Sequence, residues 1–264
     1  MDRTSLAKSI SPGQACGPMK IRCLLLALCC PTVVYSDQLP IAVAANFTAP
    51  MQQLAPEFEK ATGHKIVASY GATGKFYAQI KNGAPFEVLL SADDETPGKL
   101  AREAAADAAS QFTYAKGRLV LWSAKPAVVD AKGEVLKTAG FDHLALTNPK
   151  LAPYGAAAVE AMKALGVHDA LAPKFVTAEN ISQTYQFVKS GNAQLGFVAL
   201  SQVMKEGKIS EGSAWVVPAN LHQPIRQDAI VLDKGRGKPA VDALITFLQS
   251  DRAKHVIRSF GYEL

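Results

Sequence analysis

Read only as apolar and polar positions, the chain alternates short apolar runs with polar turns and helical periods. Ile41 to Ala45 is an uninterrupted apolar run, as expected of a strand buried on both faces of a parallel sheet. Asn46-Phe47-Thr48-Ala49-Pro50 interrupts it, and Met51, Leu54, Ala55 and Phe58 then recur at helical spacing. Asn46 and Thr48 are helix-capping residue types and Pro50 suits a first turn, so the pattern predicts a helix over 49–61, ending near Gly63. The same device repeats twice. Lys65–Ser69 reads as a strand, Tyr70–Gly74 as a turn, and Phe76, Tyr77 and Ile80 as one helix face. Phe86–Leu90 reads as a third strand, Ser91–Asp94 as a turn, and Thr96-Pro97 as the start of another helix. Strand, turn and helix three times over predict a parallel α/β sheet.

From Arg118 the texture changes. Arg118–Trp122 is a strong strand pattern, followed by a looser connection over 123–140. Leu144 and Leu146 lead to Asn148-Pro149 and Pro153-Tyr154-Gly155, and Val159, Met162 and Leu165 mark the helix behind them. Asn180 caps a helix carrying Ile181, Thr184, Tyr185 and Val188. Residues 195–200, 214–217 and 229–232 read as further strands, and two helices close the chain, the last capped by Asp251. This order predicts two α/β lobes. The first is residues 37–116 with 225–264 and the second is 117–224, joined by crossings near 114–118 and 224–228. A ligand is expected between the lobes, at the carboxyl ends of the strands.

The 264 residues carry a formal net charge of +5 and four cysteines, all at or before Cys30. Residues 1–36 read as a leader. Met19-Lys20-Ile21-Arg22 is a short basic region and a natural start, residues 23–34 are apolar but too short to span a membrane, and Ser36 precedes a polar residue. Leu28 before Cys29 is large for a lipid-attachment site. The leader holds four of the 28 basic and one of the 23 acidic residues, leaving 24 and 22 and a net charge of +2. That balance argues against a nucleic-acid partner. A cysteine-free exported chain also excludes a thiol nucleophile and a cysteine-held metal.

A strand ending in a capped helix aims free N–H groups at one point, which makes an anion site. The turns that do so here are Ala44-Ala45-Asn46-Phe47-Thr48, Gly71-Ala72-Thr73-Gly74, and Gly83–Val88 running into Ser91-Ala92-Asp93. With Asn148-Pro149, Pro153-Tyr154-Gly155 and the closing Ser259-Phe260-Gly261-Tyr262, they resemble the periplasmic molybdate-binding proteins of ABC transporters over essentially the whole chain after the leader. The resemblance implies a two-lobed type II periplasmic binding protein fold with an oxyanion in the cleft. It implies a protein that captures molybdate or tungstate and delivers it to an inner-membrane ABC permease, as a monomer, with no cofactor and no catalysis. It assigns side-chain donors to Asn46 and Thr73, a backbone N–H to Ala92, the second-lobe turn to Tyr154, and a backbone N–H at a helix start to Ile181. One departure is Ala199, where some members of the family carry a tyrosine; Tyr154 is the substitute expected to supply that hydroxyl.

A tetrahedral dianion has only acceptors, so donors alone satisfy it, and a hydrogen bond to a charged group contributes roughly 1.5–3 kcal/mol. Protonated phosphate would want an acceptor and is disfavoured. Sulfate differs from molybdate in size, and tungstate hardly at all, so little discrimination against tungstate is expected. Other readings carry less. Asn46 and Thr73 serve equally as plain helix caps. Gly71–Lys75 lacks the first glycine and the terminal hydroxyl of a phosphate loop, with Ser69 and Phe76 in those places. Lys75 reads as a solvated helix position or as an anion-steering charge. Asp93-Asp94-Glu95 suits a helix dipole better than a metal. The five histidines are scattered, Trp122 and Trp215 fit strand cores, and no nucleophile–base set is evident, which leaves an exported enzyme on the same fold as the remote alternative and another oxyanion, such as sulfate, as the nearer one.

Overall fold

The computed structural model describes residues 37–205 and 207–264. The expected leader over 1–36, with its cleavage site and Cys29, lies outside the described residues.

The first stretch builds β1 (Gln38–Ala44), α1 (Thr48–Thr62), β2 (Lys65–Gly71), α2 (Thr73–Lys81), β3 (Val88–Leu90), α3 (Glu95–Arg102) and β4 (Phe112–Gly117). The middle builds β5 (Leu119–Ser123), α4 (Val135–Thr138), β6 (Leu144–Thr147), α5 (Pro153–Ala164), α6 (His168–Leu171), β7 (Phe175–Ala178), α7 (Ile181–Lys189) and β8 (Leu195–Ala199). After a short α8 (Leu200–Val203), β9 (Met204–Lys205), β10 (Lys208–Ile209) and β11 (Ser213–Val216), the chain ends with β12 (Ile225–Val231), α9 (Pro239–Gln249) and α10 (Asp251–Ser259).

Two five-stranded sheets result. The first runs β2-β1-β3-β12-β4 and the second β11-β5-β8-β6-β7. β1 pairs parallel with β2 and β3, as the repeated strand–turn–helix pattern predicts. β12 is antiparallel to β3 and β4, and β5 to β8 and β11, so both sheets are mixed. The reason is connectivity: a strand that returns from the other sheet enters from the opposite end, with no crossover helix to reverse it. The two passages between sheets lie side by side. Gly117, the last residue of β4, pairs with Ile225, the first of β12, and Arg118 alone separates β4 from β5.

The central strands of each sheet are buried on both faces, which explains the apolar runs, whereas the edge strand β2 is largely exposed. Ile41, Val43, Val88 and Leu90 pack towards α1, α9 and α10, while Ala42, Leu89 and Ile230 face α2 and α3 through Phe76 and Leu100. In the second sheet Leu119, Leu121, Leu144 and Phe197 meet Ala158, Ala161 and Met162 of α5. Trp122 and Val198 lie on the other side, towards Val188 of α7. Trp122 and Trp215 are both core residues, as their strand patterns require.

Local signals differ in detail. Asn180 is the N-cap of α7 and accepts a hydrogen bond from the Gln183 N–H at 3.0 Å. Ser250 rather than Asp251 caps α10, accepting from the Ala253 N–H at 3.2 Å. Asn46 and Thr48 are not caps: residues 45–47 form a 3-10 turn, and the Thr48 hydroxyl turns back to the Ala45 carbonyl at 2.8 Å.

Phe58 is fully buried and meets Phe247 edge to face at 5.5 Å, joining α1 to α9. Phe58→Ala is expected to cost about 3–5 kcal/mol, read as the loss in urea denaturation; a loss below that of a surface substitution would show that this seam does not carry the helix layer.

Candidate functional site

The apolar strands end where the two halves face each other. β1, β2 and β3 run parallel, so their carboxyl ends bring Asn46, Thr73 and Ala92 to one edge of the first sheet. Opposite them stand the starts of α5 and α7, with Tyr154 and Ile181. All five residues line a single narrow cavity of about 10 Å3. All five are buried. No lysine, arginine, aspartate or glutamate lines it. The cationic character comes from helix starts, each equivalent to about half a positive charge.

The hydrogen bonds assign the donors differently from the sequence. The Ala92 N–H donates to the Thr73 hydroxyl oxygen at 3.1 Å. Ala92 lines the cavity, but its N–H is spent on the acceptor side of the hydroxyl and leaves the Thr73 proton to point elsewhere. Asn46, expected to donate from its amide, has both amide hydrogens committed. Nδ2 donates to Gln227 Oε1 at 2.6 Å and to Tyr262 Oη at 2.9 Å. Its carbonyl accepts from Tyr262 Oη at 2.9 Å and Ser201 Oγ at 2.8 Å. The side chain is held from behind by residues 181 and 216 positions away. Lys75 does not face the cavity and pairs with Glu179 at 2.6 Å, with both side chains substantially exposed.

Tyr154 carries the clearest chemical signal. Its Oη is buried and has no hydrogen-bond partner among the described residues. An unpaired buried hydroxyl costs about 1–3 kcal/mol. Burial, then the neighbouring Tyr262 and Tyr114, push its pKa well above the ordinary tyrosine value. It thus remains a neutral O–H donor. Burial also pushes Tyr262 up to about 12. Ala199, the position where a tyrosine was missed, is buried at the end of β8, gives its N–H to Gln202 Oε1 at 3.0 Å, and is not part of the cavity wall. At Ile181 the N–H is the first of α7 and has no acceptor among the described residues.

Asp93 turns away from the site. It accepts from the Thr96 N–H at 2.8 Å and hydroxyl at 3.1 Å and from Ser91 Oγ at 3.2 Å. Burial raises its pKa against those bonds. Sequence reasoning missed Gln227 and Ser201 as site residues and gave Tyr262 no role of its own. Gln227 stands between Arg226 and Asp228 in the polar first half of the strand 225–231, so its local sequence carried no signal that sets it apart.

Comparison with known proteins bears on this arrangement. The family model described as bacterial extracellular solute-binding protein matches residues 39–263. The molybdate-binding protein ModA of Azotobacter vinelandii is 56% identical over 227 residues, covering 86% of this chain and 90% of that one. That of Rhodobacter capsulatus is 52% identical over 222 residues, covering 84% and 86%. Among solved structures, a periplasmic molybdate-binding protein of Azotobacter vinelandii superposes with a TM-score of 0.83 at 42% identity, over 86% of this chain and 99% of that one.

Gly117 lies directly behind Tyr154: a Cβ there would sit 2.0 Å from Oη and 2.9 Å from Cζ. Gly117→Ala is expected to displace the tyrosine and destabilise the protein by about 1–3 kcal/mol, measured by urea denaturation. An unchanged midpoint would show that Tyr154 is not held against the strand.

Proposed function

The chain belongs to the bacterial extracellular solute-binding proteins, among the molybdate-binding proteins, and from that premise we propose that the cavity holds molybdate or tungstate as a bare oxyanion for delivery to an inner-membrane ABC permease. The protein acts in the periplasm, as a monomer that binds its cargo without transforming it and without a resident cofactor. The observation that carries the reading is a buried cavity walled by helix starts and free of charged side chains, with the neutral, unpaired Tyr154 in its wall.

Burying a dianion removes its water, and every lost hydrogen bond must be replaced. Thr73 offers its hydroxyl, since its oxygen already accepts from Ala92. Tyr154 offers a second hydroxyl from the opposite half, and Ile181 offers a main-chain N–H. Asn46, gripped by Gln227 and Tyr262, shapes the wall and presents the turn between β1 and α1. The helix starts add a positive potential that cannot be deprotonated and needs no counter-ion inside the cleft. Because donors come from both halves, the anion bonds to both at once and favours their contact. A site walled by helix starts rather than by acidic side chains suits an ion that arrives fully deprotonated.

The deciding experiment is elemental analysis and melting of the purified protein. We expect molybdenum or tungsten near one per chain after growth with either oxyanion, and stabilisation of about 2.7 kcal/mol at a hundredfold excess over the dissociation constant. A melting shift with sulfate and none with molybdate or tungstate would reassign the ligand. Thr73→Ala and Tyr154→Phe are each expected to weaken molybdate binding by roughly 1.5–3 kcal/mol; unchanged calorimetric affinity in both would remove these hydroxyls from the shell. A donor tyrosine with a raised pKa keeps its proton to higher pH, so affinity should stay flat between pH 7 and 9; a fall across that window would contradict a protonated Tyr154 donor.

A further inference from the structure

We propose that Gly74 is a positioning residue that sets the width of the closed gap around the anion, because it is the point at which the two halves touch backbone to backbone. This inference rests on the molybdate-binding reading and assigns to one glycine the retention of the bound ion.

The Gly74 N–H, in the first turn of α2, donates across the gap to the Leu151 carbonyl at 2.9 Å. The contact lies between the two donor turns. Thr73 precedes Gly74, and Tyr154 follows Leu151 by three positions. The distance from Gly74 to Leu151 therefore governs the distance between the Thr73 and Tyr154 hydroxyls. A Cβ at Gly74 would fall 3.0 Å from the Leu151 carbonyl oxygen and 3.2 Å from its Cα. Both atoms are backbone, so no side chain can swing aside.

Neither wall can retreat cheaply. Leu151 sits in a turn closed by its own N–H and that of Ala152 donating to the Asn148 carbonyl at 3.0 and 3.1 Å. The Asn148 N–H is tied to the end of β7 through the Ala178 carbonyl at 2.8 Å, and Asn148 Oδ1 accepts from the Lys150 N–H at 3.0 Å. On the other side α2 is anchored by Phe76, buried and edge to face with Phe86 at 5.5 Å. A methyl group at position 74 must then widen the gap by a few tenths of an ångström. That lengthens bonds to an ion held from both sides.

Two neighbouring links across the gap are weaker spacers. The Lys75–Glu179 pair is formed by long exposed side chains. Ser182 Oγ reaches the Ala45 carbonyl at 3.2 Å through a rotatable hydroxyl. Exposed pairs of that kind contribute little and adapt to displacement.

The test is Gly74→Ala and Gly74→Val, with Lys75→Ala alongside, in stopped-flow and calorimetry with sodium molybdate and sodium tungstate. Gly74 does not adopt a left-handed conformation, so alanine suits the helix itself, and any loss in the free protein is confined to the contact with Leu151. We expect the molybdate dissociation rate to rise roughly tenfold in Gly74→Ala and further in Gly74→Val, with association within a factor of about three, because interface changes act mainly on dissociation. Lys75→Ala should stay near wild type at physiological salt. Dissociation unchanged in both glycine variants, or a rise in Lys75→Ala matching theirs, overturns the spacer role. Wild-type protein that binds neither oxyanion overturns the functional reading instead; the same variants are then read with sodium sulfate, and binding of none of the three ends both.

Discussion

The constraint behind the proposed function is the desolvation of a double negative charge. An ion taken out of water must recover its hydrogen bonds from the protein, and a lysine or arginine in the wall would add its own desolvation cost. Helix starts avoid that cost, since their N–H groups are orphaned by geometry. Parallel β1, β2 and β3 bring three turns to one edge, and α5 and α7 begin opposite them. The apolar cores above and below exist in register with that requirement. Strands buried on both faces cannot shift without exposing a row of side chains, so the edge they present is fixed.

Behind the cavity lies a polar network in an otherwise apolar interior. Asn46, Gln227, Tyr262 and Ser201 are all buried and bonded to one another. A satisfied network of this kind specifies one arrangement more strongly than it stabilises it. It joins β1, β12, the last turn of the chain and the start of α8, which belong to both halves. The unpaired Tyr154 hydroxyl beside it stands out for that reason: every neighbour has its partner. The backbone passages at Gly117 and Ile225 are adjacent in the sheet, so the halves are linked by two neighbouring strands.

Much of this was legible in the residues. β1 and the helix behind it follow from Ile41–Ala45 and the Met51, Leu54, Phe58 spacing, and α7 follows from its Asn180 cap. The five residues singled out as site residues do line one cavity. What was not legible has physical causes. β4 alternates exposure along Phe112–Gly117 and β7 is a partly exposed edge strand, so neither shows an apolar run. The antiparallel return of β12 is set by connectivity rather than by its own side chains. Asn46 looked like a donor because residue type reveals capacity, whereas its commitment to Gln227 and Tyr262 depends on residues far along the chain. Ala92 lines the cavity, and nothing local in the sequence shows that its N–H meets the Thr73 oxygen.

The grip on Asn46 spans 181 and 216 positions of sequence. Contacts between such distant segments cost the closure entropy of the long loops between them. The wall of the cavity is therefore complete only when the first strand, the returning strand and the end of the chain have come together. Capture of the ion reports the completed tertiary structure of both sheets, not the formation of either one.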